Sequence, residues 1–322
     1  MSCTSQLFGQ DPVFSQYFNA PLVMNPAIAG VRNEANIFLN YRNQWGGLPN
    51  AYETYAVSYD QFFEDINSGF GALLLSDNAG NGILRTTKLA AIYSYRLQVS
   101  DDHYIKGGFE VGVVQSRMDW DKLVFLDQLD PTFGPVTPGG TPLPTTELIP
   151  DRNAVFYADI GMGLMYYNPL FYAGISLKHI NTPDQSFLEE NTNLYPGLPV
   201  RYTAQLGGEF LLFDGSGAVW PVYISPSAIW VSQGDLKQLN AGAFVHFGNF
   251  GLGGWFRTAF QNPDAVIGAA SFRIGRFKLT YSFDYTVSAL ELSGGTHELG
   301  IGINFDYGVQ ESRYNDCFRL FR

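Results

Sequence analysis

Four histidines are the first candidates for chemistry: His103, His179, His246 and His297. His103 falls in a short turn, His179 and His246 in strand-like segments, and His297 at the start of another. A lipid-ester hydrolase needs a serine and a histidine on neighbouring strands, so that the imidazole can take the hydroxyl proton. Ser271 and His246 share a polar face, but their segments are not neighbours in sequence. Asp119-Trp120-Asp121, with Asp127 and Asp130 behind them, offers oxygen ligands of the kind calcium takes. The fixed spacing and glycine of a calcium loop are missing, so a solvated acidic loop explains the run more simply. Gly251–Gly254 and Gly300–Gly302 look like phosphate-loop fragments, yet each sits inside an alternating segment and is read as close packing within a strand. Cys3 and Cys317 lie at opposite ends and make neither a disulfide framework nor a metal-ligand spacing. The expectation is a protein that is not an enzyme and has no cofactor and no metal site.

The residues that must carry structure are more informative. Aromatic side chains make up 16% of the 322 residues and glycine supplies 35, while charged residues reach only 15%, well under the roughly 25% usual for soluble domains. Such a composition favours strands over helices. No run of about 18 apolar residues occurs, so a membrane-spanning helix is excluded, whereas a spanning barrel is not. The net charge of −11 makes nucleic acid an unsuitable partner. The N-terminus, M-S-C-T-S-Q-L-F-G, has neither a basic region nor an apolar core. It reads as the start of a cytoplasmic chain or, in better accord with the composition, as the end of a leader truncated upstream. Cys3 within Ser2-Cys3-Thr4 is also a weak lipoprotein signal.

From residue 34 the period is two. Ile37, Leu39 and Tyr41 point one way, and Asn36, Phe38, Asn40, Arg42 and Gln44 the other. Similar segments recur over 52–62, 69–77, 86–98, 104–116, 153–167, 171–180, 201–213, 218–231 (bulged, with Pro221 and Pro226 inside), 236–247, 251–260, 265–274, 277–287 and 296–307. Fourteen strands of about ten residues follow, with no composition break. Every connection longer than about six residues is odd-numbered, the two longest being 118–152 and 181–199. Outer-membrane barrels with both termini in the periplasm show this parity.

The predicted fold is all-β, a transmembrane antiparallel barrel of about 14 strands and about 27 Å in backbone diameter. In hydrocarbon every backbone group must be paired, so the sheet must close. Membrane lipid then faces the apolar set. The lumen receives Arg96, Lys106, Glu110, Asp159, Lys178, Arg201, Glu209, Arg257, Arg273, Lys278, Asp284, Glu298 and Asp306. Trp45, Tyr95, Tyr166, Trp230, Phe260, Tyr285 and Tyr307 fit interfacial girdles. The chain divides into a leader remnant or disordered stretch (1–9), an irregular segment (10–33), the barrel (34–307) and a periplasmic tail (308–322). The irregular segment, broken by Pro12, Pro21 and Pro26 but rich in apolar side chains, needs a surface or cavity. It either plugs the lumen or lies under the rim. The lumen charges correspondingly hold a plug or line a solute channel.

The same stretch carries a resemblance. Q-D-P-x-F-S-Q-Y, then N-P-A-x-x-G and N-Y-R-N-Q-W, together with G-G-T-H-E-L-G-I-G-I-N-F from Gly294, resemble the PorP/SprF family of type IX secretion and gliding. The matching positions include Asp11, Pro12, Phe14, Ser15, Gln16, Tyr17, Asn25, Pro26, Gly30, Asn40, Tyr41, Arg42, Gln44, Trp45, His297 and Glu298. The resemblance implies export through the periplasm to the outer membrane. It implies a role in exporting or anchoring a secreted surface adhesin. It also implies contact with a periplasmic peptidoglycan-associated lipoprotein and other secretion subunits. The alternative is a general or substrate-specific porin. The long loops supply candidate partner-binding residues: Asp119, Asp121 and Asp127 with Phe125 and Phe133, and Glu189 and Glu190 in the second loop. An acidic rim around an apolar centre suits a protein ligand.

Overall fold

Alternation of polar and apolar residues closes the chain into a ring. The computed structural model describes residues 11–32, 34–48, 51–132, 134–137, 139–147, 152–187, 197–215, 220–260, 263–287 and 294–305. The strands are β1 (Ala35–Gln44), β2 (Tyr52–Phe63), β3 (Ser68–Ala79), β4 (Leu84–Ser100), β5 (His103–Met118), β6 (Ala154–Tyr167) and β7 (Phe171–Lys178). They continue as β8 (Arg201–Gly208), β9 (Phe210–Phe213), β10 (Val222–Gln233), β11 (Leu236–Phe247), β12 (Phe250–Thr258), β13 (Pro263–Ile274), β14 (Phe277–Thr286) and β15 (Thr296–Phe305). Each pairs antiparallel with the next in sequence, except that β8 and β9 both pair with β10. β15 returns to β1, with Ala35 opposite Phe305 and Gln44 opposite Thr296. Because β8 and β9 are two halves of one stave, the ring has the fourteen staves the periodicity predicts.

The faces follow the period. In β2, Thr54, Ala56, Ser58 and Asp60 are buried inward, while Tyr55, Val57 and Tyr59 are exposed on the outer wall. An apolar outer wall with paired backbone is the arrangement a bilayer requires, since an unpaired amide in hydrocarbon costs several kcal/mol.

The sequence reading placed 201–213 in one strand; the structure breaks it at Glu209, whose N–H donates to the Leu170 carbonyl at 2.9 Å. β10 pairs with β8 as far as Ser227 opposite Gly207, and with β9 from Ile224 opposite Phe210. Pro226, which has no N–H to give, sits opposite this break. β10 therefore starts at Val222 rather than Ala218, and Pro221 stays outside it. The preceding link becomes 214–221, eight residues long and even-numbered, so the loop parity is less strict than the sequence implied.

Residues 12–32 lie inside the ring. Phe14, Tyr17, Phe18, Leu22, Met24 and Ile28 are buried there. Three prolines confine regular structure to one helical turn, α1 (Pro21–Met24), and a 3-10 turn at Pro26–Ile28 that the Asn25 side chain caps by accepting from Ala27 N–H. The segment runs obliquely from rim to rim. Asp11 meets His179, Arg201 and Gln233 at the rim of the long loops. Arg32 meets Asn36 and Asn304 at the rim of the short turns, where β1 begins. The sequence reading put both termini at the short-turn rim. Among described residues the first, Asp11, is at the opposite one, because the segment descends the lumen from the loop rim before β1 climbs the wall from the short-turn rim.

Candidate functional site

Two buried ionic clusters and the inserted segment occupy the lumen. In the first, Lys88 on β4 meets Glu110 of β5 and Asp159 of β6, each at 2.5 Å, and Lys178 of β7 meets Glu110 at 2.8 Å. His179 lies between Asp159 (2.8 Å) and Asp11 (2.5 Å), and Arg201 stands 3.6 Å from Asp11. Alternation brings these side chains inward, and the ladder register sets them side by side on β4 to β8. Charges at this depth are tolerable only when paired and hydrogen-bonded.

The second cluster joins residues far apart in sequence. Arg42 on β1 pairs with Glu298 on β15 and lies 3.6 Å from Asp284 on β14. Arg257 on β12 meets Asp284 at 2.7 Å and Asp264 at 2.5 Å. The segment completes the network. Ser15 and Gln16 N–H groups each donate to Glu298 at 2.8 Å, and Ser15 Oγ donates to Asp284 at 2.6 Å. Gln16 Nε2 donates to Ser282 Oγ and to the Glu298 carbonyl. Two guanidinium groups thus face three carboxylates, and the segment adds donors to Glu298 and to one oxygen of Asp284.

Below this level, Asn40 Nδ2 donates to the Asn19 carbonyl at 2.7 Å. Lys178 reaches the Leu22 carbonyl, Ser176 that of Met24, and both Ser94 and Lys106 that of Ala29. Gly30 N–H donates to Asp60 at 2.8 Å. The wall therefore meets the amides of Ser15, Gln16 and Gly30 and the carbonyls of Asn19, Leu22, Met24 and Ala29, while turns within the segment pair others. Glycines let the segment approach closely: a Cβ on Gly108 would fall 2.3 Å from Ala27 N, and one on Gly69 2.1 Å from the Ala29 oxygen. Phe18 stacks on Trp255 at 5.6 Å and meets Phe244 edge-on.

The signature residues read from sequence converge here only in part. Ser15, Gln16, Arg42 and Glu298 form one network, joined by Gln44, whose Oε1 accepts from Arg42. Asp11 belongs to the first cluster. Phe14 and Tyr17 pack in the core, and Pro12 sits at its edge. Asn25 and Pro26 shape the turn, and Gly30 takes a positive φ of 59°. Tyr41, Trp45 and His297 are elsewhere, packed on the outer wall and loops against Tyr55, Tyr52 and Tyr281. Lys88 and His179 were missed as lumen residues; the first alternates correctly in β4, and the second lies just past the end of β7.

Of the loop candidates, Asp119 pairs with Lys122 at 3.4 Å, and Asp121 is exposed. Asp127 accepts from the Thr146 N–H at 2.6 Å and from the hydroxyls of Thr145 and Thr146. Led by that amide bond, these donors hold its carboxyl below the usual range. Phe125 is half-buried; Phe133, Glu189 and Glu190 lie outside the described residues. Ser271 and His246 are on β13 and β11, with β12 between them.

Fold and lumen define an outer-membrane β-barrel. The family described as type IX secretion system membrane protein PorP/SprF matches residues 6–303, and the chain belongs to it. It is therefore an outer-membrane component of type IX secretion. No curated protein matches the sequence. Among solved structures, Omp33 of Acinetobacter baumannii is similar at 9% identity and a TM-score of 0.46, over 86% of this chain and 100% of that one. BamA of Haemophilus ducreyi lacking POTRA domains 1–3 gives 10% and 0.41, over 85% and 71%. The KdgM porin gives 7% and 0.39, over 84% and 99%.

Proposed function

We propose that this chain is a closed, non-enzymatic barrel that retains a secreted surface adhesin at the outer membrane, its lumen held shut by residues 11–32. The supporting observation is the seating of that segment: its backbone is hydrogen-bonded to the wall from Ser15 to Gly30. A diffusion porin needs a water path where these residues lie. With the lumen filled, contact with other proteins falls to the two rims. The loop rim offers exposed Val124, Leu126 and Leu129 among Asp119, Asp121 and Asp127, an apolar centre with a charged border. The short-turn rim is where a periplasmic peptidoglycan-associated lipoprotein or another secretion subunit would dock.

Two measurements test this reading. The full chain in a planar bilayer is expected to show no steady large conductance. Purification in mild detergent from the native membrane is expected to carry along a large secreted protein. Steady porin-like currents from the intact chain would favour the channel reading instead.

A further inference from the structure

On β4 the outward side chains from Val99 up to Leu89 are exposed and apolar. At about 3.3 Å per residue and a tilt of about 40°, that stretch spans roughly 25 Å along the membrane normal, the height of a barrel's lipid-facing band. Beyond it, toward the loop rim, the outer face turns polar. The ladder between β4 and β5 sets Leu89 opposite Val113, then Thr87 opposite Gln115, and finally Arg85 opposite Arg117. Inward neighbours Lys88 and Ser116 are buried, so alternation turns both arginines to the outside, where they are exposed. Arg85 lies four residues beyond Leu89, which lifts it roughly 10 Å above the apolar band, at headgroup level.

Like charges directly opposite on neighbouring strands repel, and arginine cannot shed its proton to relieve this. An anion straddling the two guanidinium groups turns the repulsion into attraction. Arg85 is held for such a contact by its inner nitrogen, since Nε donates to Asn78 Oδ1 of β3 at 2.8 Å. A third cation stands at the same corner. Lys122 Nζ donates to the Asn81 carbonyl, in the turn leading into β4, at 3.3 Å, and pairs with Asp119 at 3.4 Å. Phosphate oxygens take parallel bonds from a planar guanidinium fork. The position selects the source of the phosphate. This face looks into the membrane, and a lipid brings its phosphate there together with chains that can lie on the exposed Leu89, Val113 and Phe156 just below.

We propose that Arg85 and Arg117 together bind the phosphate of an anionic lipid of the outer leaflet, whose acyl chains run down the wall over Leu89, Val113 and Phe156. This binding is independent of surface retention, which concerns the loops above. The test adds lipid A, or phosphatidylcholine as the zwitterionic comparison, to the full chain in a neutral sugar detergent and measures retained lipid by native mass spectrometry. Saturable retention of lipid A in preference to phosphatidylcholine is expected. Arg85→Gln with Arg117→Gln removes two charge-assisted contacts and should weaken retention roughly tenfold or more. Arg117→Gln alone should weaken it to a lesser degree, and it keeps the test open if the double variant does not assemble. Lys237→Gln, which removes an exposed cation on β11 near the same rim, should leave retention unchanged. Heat-modifiable gel migration checks assembly of each variant. Equal retention of the two lipids, unchanged retention in the assembled glutamine variants, an equal loss in Lys237→Gln, or full displacement of lipid A by an equal concentration of inorganic phosphate overturns the proposal.

Discussion

Glu298 shows what single residues do in this lumen. It is buried, pairs with Arg42, and accepts the Ser15 and Gln16 amides, so it ties β15 to β1 and both to the segment. Removing one partner of a buried pair leaves the other charge uncompensated, at about 3–5 kcal/mol, whereas replacing both with apolar groups is often close to neutral. Glu298→Leu should therefore destabilise the barrel by about that much, and adding Arg42→Met should recover a large part. Urea unfolding of vesicle-reconstituted protein gives both values; strictly additive losses would mean the two residues do not act as a pair. Asp127 supports a pH prediction at the same scale. Its carboxyl is held below the ordinary value of about 3.9 by the Thr146 amide and neighbouring hydroxyls. A depressed folded value means that the contact is fully present above the ordinary value and is lost as pH falls through the lowered one. Protease nicking of 127–147 should stay constant near neutrality and rise only in acid. Asp127→Asn should remove that acid dependence.

At the scale of elements, the seated segment separates from the wall by a simple substitution. Gly69 and Gly108 lie in β3 and β5, where valine suits a strand. The side chain would nevertheless collide with the backbone of Ala29 or Ala27. Gly108→Val, alone or with Gly69→Val, is expected to assemble as a heat-modifiable barrel while the segment is displaced, giving more ion conductance than the parent. A closed Gly108→Val barrel would show that residues 11–32 are not what shuts the lumen. The strands themselves were readable from sequence because a period of two is local: each residue reports its own face. β11, for example, has the bounds that alternation predicts. Glu209 was not readable. Its break depends on the Leu170 carbonyl of the adjoining turn and on Pro226 of the next strand, and neither leaves a mark near residue 209. Lys88 was missed because small residues surround it, so its partners Glu110 and Asp159 emerge only once β4, β5 and β6 are in register.

Over the whole molecule, the legible part was the wall and the illegible part was the path inside it. Prolines and buried-type side chains showed that 10–33 needed a cavity, but not that Asp11 would reach His179 and Arg201 at the loop rim; direction is set by contacts across more than a hundred residues. That geometry places residues 12–32 in the lumen, and under the proposed function a secreted partner would meet the loop rim. The loop there is folded rather than loose. Gln128 Nε2 donates to the Leu143 carbonyl, Asp127 binds Thr145 and Thr146, and Trp120 packs edge-on against Phe187. On this frame Leu126 is 89% exposed and Val124 54%, while Phe125 faces partly inward. The exposed pair is therefore the better probe of docking, and Phe125→Ser would also disturb the frame. Burying one such side chain contributes about 1.5–3 kcal/mol, so Val124→Ser with Leu126→Ser should weaken retention tenfold or more. Acidic neighbours act at the border, so salt should weaken retention partly and leave an apolar remainder. Quantifying the secreted protein on intact cells, with assembled barrel as the loading control, measures both effects. Undiminished retention in the double variant would move the docking surface away from this loop.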